Sequence, residues 1–453
     1  MKIKFSIFIV VILSVLASGI FAQEQVLVNE EDKLSSINLY DALITAIENS
    51  PILMSSKIDT ETAKHKLSEA KTAYNPVIGA SVNLIQSGPK SVYEVEGEEV
   101  QLSPTSQGIV TGNLAWIVDV NGQIKRSVKI QSDVYDASKY AFEASLADLI
   151  FNVQSSYFSC LLAKENLNTA ESAMKTSVDN LKNIIAEVEE GTKPGFDQTR
   201  QEYDVTIRQN AVVNALSNYK QSINNFNFTL GYIDKSLVVP EGTSVDNIKF
   251  DVSNDLIDKA FTNRSELKQL SKLSEASKIA VSYAQGANYP SLQLTGSYSK
   301  NFISTEITGT HNWQAMANIN IPIWSGGVVD KKIKQAKSEH EKSLYSIELQ
   351  KQVIMTSVKN AVLDLLSLKE LILTTQKGVE LAKENYDIAY TRYEQQLGTY
   401  LDVSTALDQL VKAENDYISA RYSYAISVFY LERQAGTQAD MDAFMNLIWE
   451  DKK

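Results

Sequence analysis

Between Gly326 and Gly398 the chain runs for about seventy residues without a proline. From Ile354 onward one set of positions reads Ile354, Val358, Ala361, Leu365, Leu368, Ile372, Thr375, Val379, Ala382, Tyr386, Ala389 and Tyr393, in alternating steps of four and three. Only Thr375 interrupts an otherwise apolar or aromatic series. A strict period of 3.5 is the seam of a left-handed coiled coil, not the broader stripe of a globular helix. At 1.5 Å per residue the whole stretch would extend roughly 105 Å, well beyond the core of an ordinary domain.

The same pattern occurs earlier. Shifted by 205 positions it gives Leu149, Val153, Ser156, Cys160, Ala163, Leu167, Ala170, Met174, Ser177, Leu181, Ile184 and Val188, all apolar or small and without a gap. On this shift Gly122 falls on Gly327 and Asp197 on Asp402. Upstream the shift is 214: Ala46 matches Ala260, Asn49 matches Asn263 and Pro76 matches Pro290. The difference lies between the paired strands, where the first copy has the longer loop. Self-similarity at this distance is a duplicated unit. Cys160, the only cysteine, sits on a seam position, so it reads as a small buried hydrophobe rather than a reactive thiol.

Each copy also changes period once. Val110, Gly112, Leu114, Trp116, Val118 and Val120 alternate with polar or small residues, as do Trp313, Ala315, Ala317, Ile319, Ile321 and Ile323. Each run pairs with a preceding one, Pro76 to Gln86 in the first copy and Leu292, Leu294, Gly296, Tyr298 in the second. Strands of about ten residues can cross a bilayer when tilted, and Trp116, Tyr298, Phe302, Trp313 and Trp324 can supply interfacial aromatics. Four strands cannot close a barrel, and an open sheet in lipid would leave unpaired edges. The sheet must therefore pack on the chain's own helices or close with other copies, and three copies give twelve strands. The acidic run Glu94, Glu96, Glu98, Glu99 between the first two strands reads as a solvated, flexible external loop.

The expected organisation is a signal peptide at 1–22, with Lys2 and Lys4 ahead of an apolar core and a cut after Ala22, then an N-terminal extension at 23–38. The first repeat occupies 39–231, with a hairpin at 76–120, a long helix at 122–190 and a return helix at 197–230. A connecting segment at 232–254 leads to the second repeat at 255–435, with a hairpin at 291–324, a long helix at 326–397 and a return helix at 402–434. A C-terminal segment covers 436–453. Asp197 and Asp402 are read as N-caps of the return helices. Apart from the signal segment no stretch approaches the length of a spanning helix.

The net charge is −12 and no basic run offsets it, which argues against nucleic acid as a partner. His65, His311 and His340 have no metal-ligand spacing, and neither a nucleophile elbow nor a phosphate loop is present. The reading is of a non-enzyme with no catalytic residue, no cofactor and no metal.

Taken together, the duplication resembles the outer-membrane efflux protein family, the TolC-like exit ducts of Gram-negative bacteria. The resemblance covers about Ile37 to Gly436. It rests on Ala46-Ile47-Glu48-Asn49-Ser50-Pro51, on Tyr74-Asn75-Pro76 and Tyr289-Pro290, and on Ile321-Pro322-Ile323-Trp324-Ser325-Gly326-Gly327. The tip segments Gly191 to Asp197 and Tyr393 to Val403 add to it. It implies a mainly α fold with a small transmembrane β part. Long antiparallel coiled-coil helices would form an α-helical barrel continuous with a shared 12-stranded barrel in a homotrimer. It further implies an outer membrane location and passive export. The partners implied are outer-membrane lipid, a periplasmic adaptor (membrane fusion) protein, and an inner-membrane RND or ABC transporter.

Carried over residue by residue, the resemblance implies a periplasmic gate at Tyr393 and Asp402, with Thr405 where the drug-efflux prototype has a second aspartate. Gly398 stands where that prototype has an arginine, and Gln396 replaces the usual tip glycine. Adaptor docking falls on the tip turns at Gly191, Asp197 and Gly398. The rival reading is a non-conducting coiled-coil periplasmic scaffold or surface stalk, which leaves two matched hairpins without a purpose.

Overall fold

A computed structural model of the chain describes residues 35–88, 106–232, 237–242, 255–303 and 311–438, with short pieces between and after them. The segment expected to be a signal peptide (1–22), nearly all of the expected N-terminal extension and most of the chain after residue 438 lie outside the described residues, as do the side chains of the acidic run. The chain is mainly helical with a small strand part. Its contacts divide it into two units: one holds residues 1–55, 143–264 and 352–453, the other 56–142 and 265–351.

Eight helices are described. Helix α1 (Leu39–Asn49) is followed directly by α2 (Pro51–Thr72), then α3 (Gln123–Glu189) and α4 (Gly195–Thr229). The second set is α5 (Leu256–Asn263), α6 (Ser265–Gly286), α7 (Val328–Glu394) and α8 (Tyr400–Ala435). Helices α3 and α7 have 67 residues each and α2 and α6 have 22 each. Pro51 takes the first position of α2, where the missing N–H costs no helical bond.

Several boundaries differ from the sequence expectation for a local reason. Gly122, Gly326 and Gly327 have φ of +70°, +64° and +82°, so they belong to the left-handed turn before each long helix and not to its first turn. The return helices start earlier than expected, at Gly195 and Tyr400. Asp197 is not an N-cap: Pro194 holds that position, and Asp197 lies in the first turn of α4. Asp402 is not an N-cap either. Thr399 is, and Asp402 completes a capping box with it.

The second unit carries the sheet. Strands β2 (Val77–Gln86), β5 (Ser106–Val118), β7 (Ser291–Ile303) and β8 (His311–Asn320) form one antiparallel sheet in the order β2-β5-β7-β8. The register places Ile78, Leu114, Gly296 and Ala315 in one row and Ala80, Gly112, Tyr298 and Trp313 in the next. Side chains alternate across a pleat, so these residues share a face with Val82, Trp116 and Leu294. The opposite face carries Ser81, Asn83, Thr111, Asn113, Thr295, Ser297, Gln314 and Asn318. The first face is the more apolar; the second is mostly polar but also carries Val77, Ile85, Ile117 and Met316, and among the described residues β2 and β8 are open edges. The stretch read as a flexible acidic loop contains a further hairpin, β3 (Val92–Val95) with β4 (Glu98–Gln101).

In the first unit, β1 (Ser35–Ile37) runs parallel to β6 (Val238–Pro240), a pairing absent from the sequence reading. Both helix pairs end there in matched ways. Gly231 has φ +79° and its position would bring a Cβ within 2.5 Å of the Asn49 carbonyl oxygen, while Gly436 has φ +65° and would bring one within 3.0 Å of the Asn263 Cβ. Only glycine fits such an approach with a left-handed backbone.

Candidate functional site

The seam of α7 is visible in its burial. Ile354, Val358, Ala361 and Leu365 are buried, and Tyr393 closes the series at 7 % exposure. The intervening positions face outward, among them Leu363, Leu373, Leu381 and Ile388. Helix α3 is covered more broadly: Leu146, Ile150, Tyr157, Phe158 and Leu161 are buried in addition to the seam residues Val153, Cys160, Leu167 and Ile184. Cys160 is fully buried. Burial pushes its thiol up to about 11, against smaller opposing effects of the Ser222 hydroxyl and the Lys164 charge.

Both helical hairpins turn by the same device. After α3, Gly191 adopts φ +77° and donates to the Val188 carbonyl at 3.1 Å, and Thr192 N–H donates to the Glu187 carbonyl at 2.9 Å. After α7, Gln396 adopts φ +60°, donates to the Tyr393 carbonyl at 3.0 Å, and Leu397 N–H reaches the Arg392 carbonyl at 2.8 Å. These are Schellman ends, which favour glycine at the left-handed position. Gln396 is the only non-glycine residue with positive φ among the described residues. At Gly398 a Cβ would lie 3.3 Å from the Arg392 Cβ, so the Arg392 stem occupies the space beside this glycine. The Arg392 guanidinium donates to the Leu397 carbonyl at 3.4 Å.

Of the three gate candidates, only Tyr393 is inside the protomer. Its ring meets that of Tyr400 edge-on at 6.0 Å, within a cluster of Ile184, Tyr400 and Val403 flanked by Val188, Tyr386, Ala389 and Tyr390. Burial, more than the nearby Asp197 and Glu187 charges, holds its phenol well above the ordinary tyrosine range. The Lys193 ammonium, from the first tip turn, sits 3.4 Å from the centroid of the same ring. Asp402 and Thr405 are exposed. The Asp402 carboxylate accepts from the Thr399 N–H at 2.9 Å and the Thr399 hydroxyl at 2.8 Å, and these bonds, aided by Arg392, lower its pKa. Among the tip-turn candidates, Gly191 is exposed while Asp197 and Gly398 are partly covered.

The aromatic candidates all lie on the sheet or just after it, and all are exposed. Tyr298 and Trp313 are cross-strand partners, Trp116 donates its indole N–H to the Tyr74 carbonyl at 2.9 Å, and the Phe302 ring covers Gly108. Among the described residues no helix is long and apolar enough to cross a membrane, and no group of side chains is arranged to hold a metal ion.

Sequence reasoning missed Lys193, Tyr400 and a buried polar group around Asp204. The last had a signal. Asp197, Gln201, Asp204 and Arg208 repeat at the four-three spacing of a seam, yet every one is polar, and Gln201, Asp204 and Arg208 are buried.

The fold is one of duplicated long helical hairpins carrying a single four-stranded sheet, and it belongs with the outer-membrane channels. Residues 42–232 and 256–437 match the outer membrane efflux protein family, and the chain belongs to that family. Its place is accordingly the outer membrane of a Gram-negative bacterium, and its role is that of an efflux channel. It is 21% identical to outer membrane protein TolC of Escherichia coli strain K12, over 89% of this chain and 83% of that protein. Its fold is that of the Campylobacter jejuni CmeC outer membrane channel, with a TM-score of 0.76, 18% identity and coverage of 91% of this chain and 89% of that one. The open-state Neisseria gonorrhoeae MtrE outer membrane channel gives 0.74 at 19% identity, covering 89% and 91% of the two chains.

Proposed function

We propose that three copies of this chain close into a passive export duct of a tripartite efflux or type I secretion system. Their sheets form a 12-stranded barrel in the outer membrane, and their long helices form a tunnel that crosses the periplasm. The observation that carries this reading is the sheet: one face mainly apolar, the other mainly polar, and among the described residues two open edges at β2 and β8. In lipid an open edge leaves several N–H and C=O groups unbonded, each at several kcal/mol, which excludes a lone sheet. Joining β8 of one copy to β2 of the next removes every edge and places the polar face on a water-filled lumen.

Within that duct Trp116, Tyr298, Phe302, Trp313 and Trp324 are the membrane-interface aromatics, and the tip turns at Gly191, Asp197 and Gly398 are where a periplasmic adaptor docks. The adaptor joins the duct to an inner-membrane RND or ABC transporter, which supplies the energy. The tip opens on that contact, with Tyr393 at the closing point and Asp402 and Thr405 facing the pore. Residues 39–231 and 255–435 keep their proposed parts as the first and second repeats, with 232–254 as the connector and 436–453 as the C-terminal segment.

Two measurements test the duct. Detergent-solubilised protein should have the mass of a trimer and show heat-modified gel mobility, and in planar bilayers it should conduct. A soluble, monomeric, non-conducting protein would favour the scaffold instead. Alanine at Tyr393 and Asp402 should raise the conductance or alter its cation dependence; unchanged conductance in both sinks the gate assignment.

A further inference from the structure

Just behind the second tip, three helices meet around a carboxylate. Asp204, on α4, is 8 % exposed. It accepts from the Ser177 hydroxyl of α3 at 2.8 Å, from the Tyr400 hydroxyl of α8 at 3.2 Å, and from the Ser404 hydroxyl of α8 at 3.2 Å. Arg208 keeps its Nε 3.9 Å from the carboxylate and turns its guanidinium to Asp408, again on α8. The first three turns of α8 are thus tied to the first hairpin through Tyr400, Ser404 and Asp408 in succession.

This arrangement is costly for a coiled-coil seam. An apolar set of similar volume at the same positions would generally be as stable or more so, whereas separating a buried charge from its partners is strongly unfavourable. A seam that needs only cohesion gains nothing from such a group. One that must hold a helix in a single place, and release it as a unit, does. Hydrogen bonds to a charged group are stronger than neutral ones and are directional, so α8 is fixed in register as well as in distance. The contacts nearer the turn are weaker in kind: the Thr399–Asp402 capping box is exposed, and Lys193 meets Tyr393 through a cation–π contact and one long hydrogen bond to its carbonyl.

We propose that Asp204 is the positioning residue that holds the start of α8 on the first hairpin, so that the second tip moves as far as its bonds to Tyr400 and Ser404 allow. The inference rests on the duct reading only for what that movement does. The holding itself is a property of the chain. Asp204 touches no cargo and lines no pore in this account; it acts through α8.

Deuterium exchange of the α8 amides from Ser404 to Val411, in the detergent-solubilised full chain, tests the holding role. Asp204→Asn should speed that exchange about tenfold or more, the loss expected for hydrogen bonds to a charged acceptor. Tyr400→Phe keeps the ring in its apolar cluster and leaves the carboxylate in place, so it should fold and speed exchange by less. The double variant should exchange little faster than Asp204→Asn alone, because the two substitutions remove one shared bond. Unchanged exchange in Asp204→Asn, strictly additive effects, or an equal rise throughout α3 and α7 would overturn the proposal. Conductance of the same variants addresses the other question. Faster local exchange with unchanged conductance would support the holding role and overturn the reading of the tip as a gate.

Discussion

The Lys193 ammonium lies 3.4 Å from the centroid of the Tyr393 ring and also donates to the Tyr393 carbonyl at 3.4 Å. The two residues are 200 positions apart and come from the two different helical hairpins. Lys193 extends from the turn of the first; Tyr393 is the last buried seam residue of the second. Replacing Lys193 by Met keeps the aliphatic stem and removes the charge. The loss should be about 1 kcal/mol, seen as faster limited proteolysis at the two tip turns, and Lys193→Arg should restore most of it.

Gln396 holds a left-handed backbone where the other three Schellman ends, at Gly191, Gly231 and Gly436, have glycine. The left-handed conformation costs a non-glycine residue about 1–2 kcal/mol. Gln396→Gly should therefore stabilise the second tip by roughly 1 kcal/mol, because part of the gain is offset by a more flexible unfolded chain. Denaturant unfolding of the tip, followed by proteolysis, would measure it. A destabilised variant would mean that the Gln396 side chain makes a compensating contact.

Asp402 should give the start of α8 an acid-dependent cap. Its carboxyl is held below its ordinary value chiefly by the Thr399 N–H and hydroxyl, so the folded chain favours the ionised form. The resulting stabilisation is complete above the unfolded value of about 3.9 and is lost as pH falls through the lower folded value. Asp402→Asn should therefore loosen the first turn of α8 at neutral pH and make no difference in strong acid, as read by amide exchange in that turn.

Cys160 should be inert in the folded protein. Its thiol is fully buried and raised to about 11, so the reactive thiolate is scarce at neutral pH. Maleimide at pH 7.5 should leave the native protein unlabelled and label it after denaturation. Stability should also fall as pH rises from the unfolded thiol value toward 11, because only the unfolded chain ionises there. Cys160→Ala should flatten that dependence.

What could be read from the sequence follows from what repeats. The four-three spacing placed Ile354 to Tyr393 on one line, and those positions are the covered ones. The two-residue alternation around Trp116 and Trp313 separated the faces of the sheet. Helix ends were less legible because the deciding chemistry is local and three-dimensional. Asp402 looked like an N-cap, but Thr399 takes that place and Asp402 answers it from the N3 position. The pairing of β1 with β6 joins residues about 200 apart through three positions each, too short for any periodic signal. Lys193 on Tyr393 and Asp204 under Tyr400 escaped for a related reason. Each joins one repeat to the other, and a comparison that aligns the repeats says nothing about which surfaces of them touch.

The open edges at β2 and β8 carry a consequence for inheritance. In the proposed ring of three, each copy's β8 would be completed only by its neighbour's β2, so no chain would contain the whole of any wall it borders. A proline in the middle of β8, at a position whose N–H points away from β7, would leave its own sheet paired to β7 and damage the joint with the next copy. In a cell making normal and altered chains in equal amounts, one altered member is enough to spoil a ring, and most rings would have at least one. Such an allele would behave as dominant, while a deletion of the gene would be recessive.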